Sequence, residues 1–146
     1  MPAYISDLVG YLKDCLDTSS KLIRFELLVD EVRIDIAQAV PLGLIMNESI
    51  TNAIKYAFGD NGGVIIVGLQ LLAGEMLLLT VTDNGKGLPA DFDLREAVSL
   101  GMEMMKALTK QLGGSFQIKS NQGVTVSVEF RVENMHYSKE IEEFYS

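Results

Sequence analysis

Two apolar runs, residues 64–72 and 76–82, are separated only by Ala73-Gly74-Glu75. Runs of this composition favour strands, and a short glycine-bearing joint between them reads as a hairpin. Both stop well before the ~20 residues a membrane-spanning helix needs. The rest of the chain must therefore supply a sheet and its cover. Residues 23–29, IRFELLV, read as a further strand and residues 32–36 as a weaker extended segment. Ser115–Ser120 (SFQIKS) and residues 124–132 (VTVSVEFRV) form another pair around the turn Asn121-Gln122-Gly123.

Helical periodicity fills the gaps. Ile5, Leu8, Val9, Leu12 and Leu16 predict an amphipathic helix over residues 4–16. A long helix is expected over residues 37–58, with Pro41 in its first turn, and it ends at the turn cluster of residues 59–63. After an irregular stretch, Met104, Met105, Leu108 and Leu112 mark a third helix before Gly113-Gly114. Hairpin-like strands with three helices on one face make an α+β fold, a two-layer sandwich on a mixed sheet.

Composition narrows the function. The 146 residues are 48% hydrophobic, enough for one domain with a real core. Residues 1–132 read as that domain and residues 133–146 as a charged tail. A net charge of -8 argues against nucleic acid, whose phosphates demand a basic face. It leaves a nucleotide open, since magnesium and a few donors neutralise a triphosphate locally. Cys15 is the single cysteine, so neither a disulfide framework nor a cysteine metal cluster is available. With no signal-peptide pattern at the start, a cytoplasmic domain without membrane contact is the expectation.

Three motifs carry chemistry. On the long helix, Glu48 and Asn52 are four apart, with Lys55 and Tyr56 following on the same face. Met46, Ile50, Ala53 and Ala57 fall opposite, toward the sheet. A carboxylate, an amide oxygen and an ammonium suit magnesium triphosphate, because oxygens ligate the hard cation and lysine pairs with phosphate. The plainer alternative is a solvated face with i,i+4 polar pairs.

The second motif is Asp83-Asn84-Gly85-Lys86-Gly87, directly after a strand. An aspartate at a buried strand end needs a donor, which the exocyclic amine of adenine would supply. The glycines let the backbone pass close to a flat ring. A simple Asn-Gly turn is the alternative. The third is Ser99-Leu100-Gly101-Met102, where a glycine at a helix start exposes backbone donors to an anion; an ordinary loop-to-helix glycine would look the same. Gly85-Lys86-Gly87-Leu88-Pro89-Ala90 formally fits a dinucleotide fingerprint. Pro89 and the following acidic residues deny it the helix that motif must open, and no P-loop is present.

In this order and spacing the motifs resemble the ATP-binding domain of histidine kinases, in the superfamily shared with gyrase, heat-shock chaperones and mismatch-repair ATPases. The resemblance covers residues 4–132 and centres on PLGLIMNESITNAIKYAF (residues 41–58) and SLGMEMMKALTKQLGGSF. It implies the Bergerat-type ATP-binding fold, and a two-component protein-histidine kinase using ATP and magnesium. By resemblance, Asn52 is the magnesium ligand, supported by Glu48, and Lys55 contacts phosphate while Tyr56 packs near the nucleotide. Glu48 takes the place of the general base in the ATP-hydrolysing relatives. Asp83 matches the adenine-reading aspartate, Gly85 and Gly87 the first glycine box, and Leu100, Gly101 and Met102 the second. Residues 88–100 correspond to the ATP lid. The implied partners are a phosphoacceptor helical hairpin and, downstream, a response regulator.

Two departures stand out. The family usually has Gly-Thr before the last strand, with the threonine supporting adenine; here Gly123 is followed by Val124, and Thr125 comes one place late. Alternation points the Thr125 hydroxyl to the other face unless a one-residue bulge restores it. The sole histidine, His136, lies in the acidic tail, so the acceptor histidine must be supplied elsewhere. An excised kinase domain is the expectation, a naturally truncated protein the variant of it. The rivals are an anti-sigma-factor serine kinase, a gyrase-like ATPase, and a degenerate adaptor that keeps the fold.

Overall fold

The computed structural model describes residues 2–4, 23–54, 62–85, 100–120 and 122–133. In chain order the elements are β1 (Pro2–Tyr4), β2 (Ile23–Val29), β3 (Arg33–Asp35), α1 (Ile36–Asn52), β4 (Gly63–Leu71) and β5 (Met76–Asp83). They continue with α2 (Leu100–Gln111), β6 (Ser115–Ser120) and β7 (Val124–Arg131). A 3₁₀ turn, Ala73–Glu75, joins β4 to β5.

The main sheet has five strands in the order β2-β4-β5-β7-β6. β4 pairs antiparallel with β5, β5 with β7 and β7 with β6, but β2 and β4 are parallel. Parallel neighbours require a long crossover, and β3 with α1 provides it. The sheet is therefore mixed, as the sequence predicts. A second, two-stranded sheet pairs β1 with β3, Ala3 opposite Ile34. That strand was not expected: Tyr4, the predicted start of the first helix, lies in it, and residues 5–16 lie outside the described residues.

Two-residue alternation decides which side chains enter the core. Ile65, Val67 and Leu69 of β4, Leu77, Leu79 and Val81 of β5, and Val126, Val128 and Phe130 of β7 are all buried on one face. Val67 lies opposite Val81, and Val81 opposite Val126, so the three strands present one continuous apolar layer. Against it pack Leu42, Ile45, Met46 and Ile50 of α1, each fully buried, and Met105 of α2. Burying a side chain of this size is worth about 1.5–3 kcal/mol, which sets the helices on this face and no other.

The helices differ from expectation in detail. α1 begins at Ile36, so Pro41 lies inside it, beyond the first turn, where its missing N–H forfeits one helical bond. Its regular part ends at Asn52, and Ala53 and Ile54 continue in a wider π turn. On α2 the buried set is Met102, Met105 and Thr109, followed by Leu112 just past its end, whereas Met104 is only half-buried. Thr109 fits because its hydroxyl donates to the Met105 carbonyl at 2.8 Å. α2 stops in a left-handed turn: Gly113 has φ 69°, its N–H bonds Lys110 O at 2.9 Å, and Gly114 N–H bonds Thr109 O at 3.0 Å. Any side chain on Gly114 would run into the Glu129 carbonyl, so the two glycines serve separate ends, termination and docking onto β7.

Gln38 closes the opposite end of the domain. Its amide donates to Arg131 O and accepts from Glu133 N–H, both at 3.0 Å, tying the first turns of α1 to the exit of β7. Asp30 does similar work at the edge: its carboxylate accepts Leu71 N–H at 2.8 Å.

Candidate functional site

The end of β5 supplies the most constrained group. The alternation that buries Leu77, Leu79 and Val81 puts Asp83 on the same face, where it is only 7% exposed. A carboxylate in such a place needs donors. Its Oδ1 accepts the backbone N–H of Gly85 at 2.9 Å and that of Val124 at 3.3 Å. Among the described residues both contacts fall on Oδ1, which leaves Oδ2 for a further donor.

Close packing of the β6–β7 turn brings Val124 to this position. Gly123 has φ 151°, and a side chain there would collide with the Asp83 carbonyl oxygen. It would also stand 3.3 Å from the Asn84 Cα. Glycine is required on both counts. Asn84 faces the neighbouring strand instead, accepting Val64 N–H at 2.8 Å and donating its own N–H to Val64 O at 3.3 Å. It closes the end of β4 and frees Asp83 from that duty.

Thr125 requires a correction. Its hydroxyl lies 3.2 Å from that of Thr82, its partner across β5 and β7, on the face away from Asp83. No bulge restores it, because the register runs unbroken from Met76–Arg131 to Thr82–Thr125. Val124 stands in the adjacent place, half-buried against the core, and its backbone N–H reaches Asp83 Oδ1 at 3.3 Å.

The last turns of α1 carry Glu48 and Asn52, both half-buried, while Ile50, Met46 and Ala53 on the other side are buried as expected. Ser49 locks this stretch to α2: its hydroxyl donates to Ile45 O at 2.8 Å and lies 3.3 Å from Met105 Sδ. The π turn at Ala53–Ile54 follows directly, a widening that recurs at functional sites. At the start of α2, Leu100 is 88% exposed and Met102 is buried. Gly101 sits so close to Glu48 that a side chain there would coincide with the Glu48 carboxylate. Lys55, Tyr56, Gly87 and residues 88–99 lie outside the described residues.

The donor set fits a magnesium ion shared with phosphate. Glu48 and Asn52 offer oxygens from one helix face, and among the described residues neither side chain is taken up by a hydrogen bond or ion pair. A hard dication takes such oxygens and completes its shell from water and phosphate. The two signals missed by sequence are the Val124 N–H and the Glu48–Gly101 contact. The first is a backbone group, which no residue type announces; the second exists only once α2 packs on α1.

A strand-end aspartate, an oxygen-bearing helix face and a glycine at the start of the next described helix are elements from which a nucleotide site in an α+β domain can be built. A sequence model of the family described as "Histidine kinase-, DNA gyrase B-, and HSP90-like ATPase" matches residues 37–134, more than half of the chain, and the chain belongs to that family. Among curated relatives, blue-light-activated histidine kinase 2 of Erythrobacter litoralis is 30% identical over 109 residues, 73% of this chain and 32% of that protein. The sensor histidine kinase PdtaS of Mycolicibacterium smegmatis is 33% identical over 86 residues, 56% of this chain and 17% of that protein. The chain thus spans about a third or less of the length of these relatives. The histidine kinase domain of an Erythrobacter litoralis blue-light activated histidine kinase superposes with TM-score 0.77 at 25% identity, covering 88% of this chain and 63% of that one. A full-length ShkA in complex with AMPPNP shares the fold at TM-score 0.70 and 19% identity, over 90% of this chain and 31% of that one.

Proposed function

We propose that this domain holds magnesium-ATP with its γ-phosphate directed at a histidine on a separate helical hairpin, as the catalytic part of a sensor histidine kinase. The observation that carries this reading is Asp83: a buried carboxylate pinned through one oxygen by Gly85 and Val124, with the other oxygen left for the adenine amine. Glu48 and Asn52 would hold the magnesium ion, which neutralises phosphate charge when bound. The first turn of α2, with Gly101, offers backbone donors to phosphate. Lys55, Tyr56 and Gly87 complete the site in this reading, as a phosphate contact, a wall beside the nucleotide and part of the first glycine box. The named histidine kinases among its relatives support the acceptor class, and a response regulator downstream follows from it. The cytoplasm, where ATP is available, is the proposed compartment; no described helix is long and apolar enough to cross a membrane.

Phosphoryl transfer needs mainly positioning and charge neutralisation. The chain's His136 is not needed for it. Incubated alone with γ-labelled ATP, the chain is expected to take up no acid-labile phosphate. With the helical hairpin of its own kinase added in trans, label should appear on the hairpin's histidine, slowly, because association replaces a tether of high effective concentration. Acid-stable phosphoserine on a partner would instead identify a serine kinase. Phosphohistidine on the isolated chain would refute the assignment of the acceptor.

A further inference from the structure

The first helical turn of α2 is built around a missing side chain. An ideal Cβ on Gly101 would coincide with Glu48 Oε1, and would stand 2.6 Å from Glu48 Cδ and 3.1 Å from Cγ. These are the three nearest heavy atoms to that position. The backbone itself makes no demand for glycine there, since Gly101 is absent from the positive-φ residues. Alanine would suit a helix better than glycine on intrinsic preference. What it would meet is the end of one flexible side chain, reaching across from α1, which would have to swing away.

Glu48 cannot easily move aside by shifting its helix. One residue on, Ser49 is 5% exposed, donates to Ile45 O at 2.8 Å and lies 3.3 Å from Met105 Sδ, so α1 and α2 are closely packed beside the contact. Met105 is itself almost fully buried. The Glu48 carboxylate is thus seated against the first described turn of α2. Without that seat, a half-buried glutamate on a helix surface has several rotamers open to it.

We propose that Gly101 is a positioning residue for Glu48: its lack of a side chain forms the slot that holds the Glu48 carboxylate beside the magnesium-ATP site. The functional part rests on the nucleotide reading given above; the slot itself does not. Filling the slot expels the carboxylate, and the metal then loses one of its two proposed oxygen supports on α1. Gly101 therefore acts on the metal through Glu48, in addition to any backbone contact it makes with phosphate.

A double-mutant cycle on the full chain tests this with two readouts. Without nucleotide, Gly101→Ala is expected to lower the Tm of the otherwise unchanged protein. In a Glu48→Ala background the same substitution should raise the Tm, because only the helix preference of alanine then remains. Gly101→Ala lowering the Tm equally in both backgrounds would overturn the slot. The second readout is the ratio of ATP affinities with and without magnesium, from calorimetry. Gly101→Ala should reduce that ratio about as far as Glu48→Ala does, and the double variant should reduce it no further. If Gly101→Ala weakens ATP equally with and without magnesium, the glycine acts on the phosphate directly and the positioning role fails. Should Gly101→Ala fail to fold, Gly101→Ala with Glu48→Ala, which removes every atom that the added methyl would meet, must recover a folded protein; continued failure overturns the proposal. A reversed Tm effect in a protein that binds no ATP would uphold the slot while removing the nucleotide reading.

Discussion

Replacing Asp83 by asparagine is expected to weaken ATP by about 1.5–3 kcal/mol, the worth of a hydrogen bond to a charged group. That is roughly a 10- to 150-fold loss of affinity. The geometry makes this a clean substitution. Oδ1 accepts from Gly85 and Val124, and an asparagine can keep its own Oδ1 there. The change then falls on the other branch, where a carboxylate oxygen that accepts from the adenine amine becomes an NH₂ that opposes it. The same logic makes GTP a poor ligand of the unsubstituted protein, since its carbonyl would meet the carboxylate. Competition titration measures both. GTP competing as well as ATP would mean that Asp83 does not read the base.

The second large effect is expected at Asn52. Asn52→Ala removes an oxygen from the side of α1 proposed to meet the metal, while Ile50 and Ala53, which seat that turn in the core, are untouched. Magnesium-dependent ATP binding should fall by about 10- to 100-fold or more, the range seen when even an indirect support of a metal is lost. The thermal transition should move little, because the residue is half-buried and its side chain enters no hydrogen bond among the described residues. Calorimetry in magnesium and in EDTA separates the outcomes. An equal loss in both would assign Asn52 to the nucleotide and not to the metal.

Much of the site was legible because strand periodicity is rigid. The two-residue repeat through Leu77, Leu79 and Val81 fixes the face of Asp83 whatever surrounds it. The same repeat sends Thr125 to the other face, and Thr82 receives it there. Gly113-Gly114 was legible as an ending, though not as two distinct jobs. Helix ends were less so: α1 begins one residue earlier than its apolar pattern suggests, and Pro41 lies in the helix interior. On α2 the buried face is turned from Met104 toward Met102 and Thr109, because Thr109 satisfies its own hydroxyl on Met105 O and so can be buried. The Val124 donor and the Glu48–Gly101 seat were not legible at all. One depends on the β6–β7 turn closing over Asp83, the other on how two helices meet.

The central claim, that the domain is built to hold magnesium-ATP, is tested most directly by titrating the unsubstituted chain with ATP in a calorimeter, once in excess magnesium and once in EDTA. Saturable binding of one ATP per chain, clearly tighter with magnesium, is the expected result. No binding in either condition, or the same affinity in both, would contradict it.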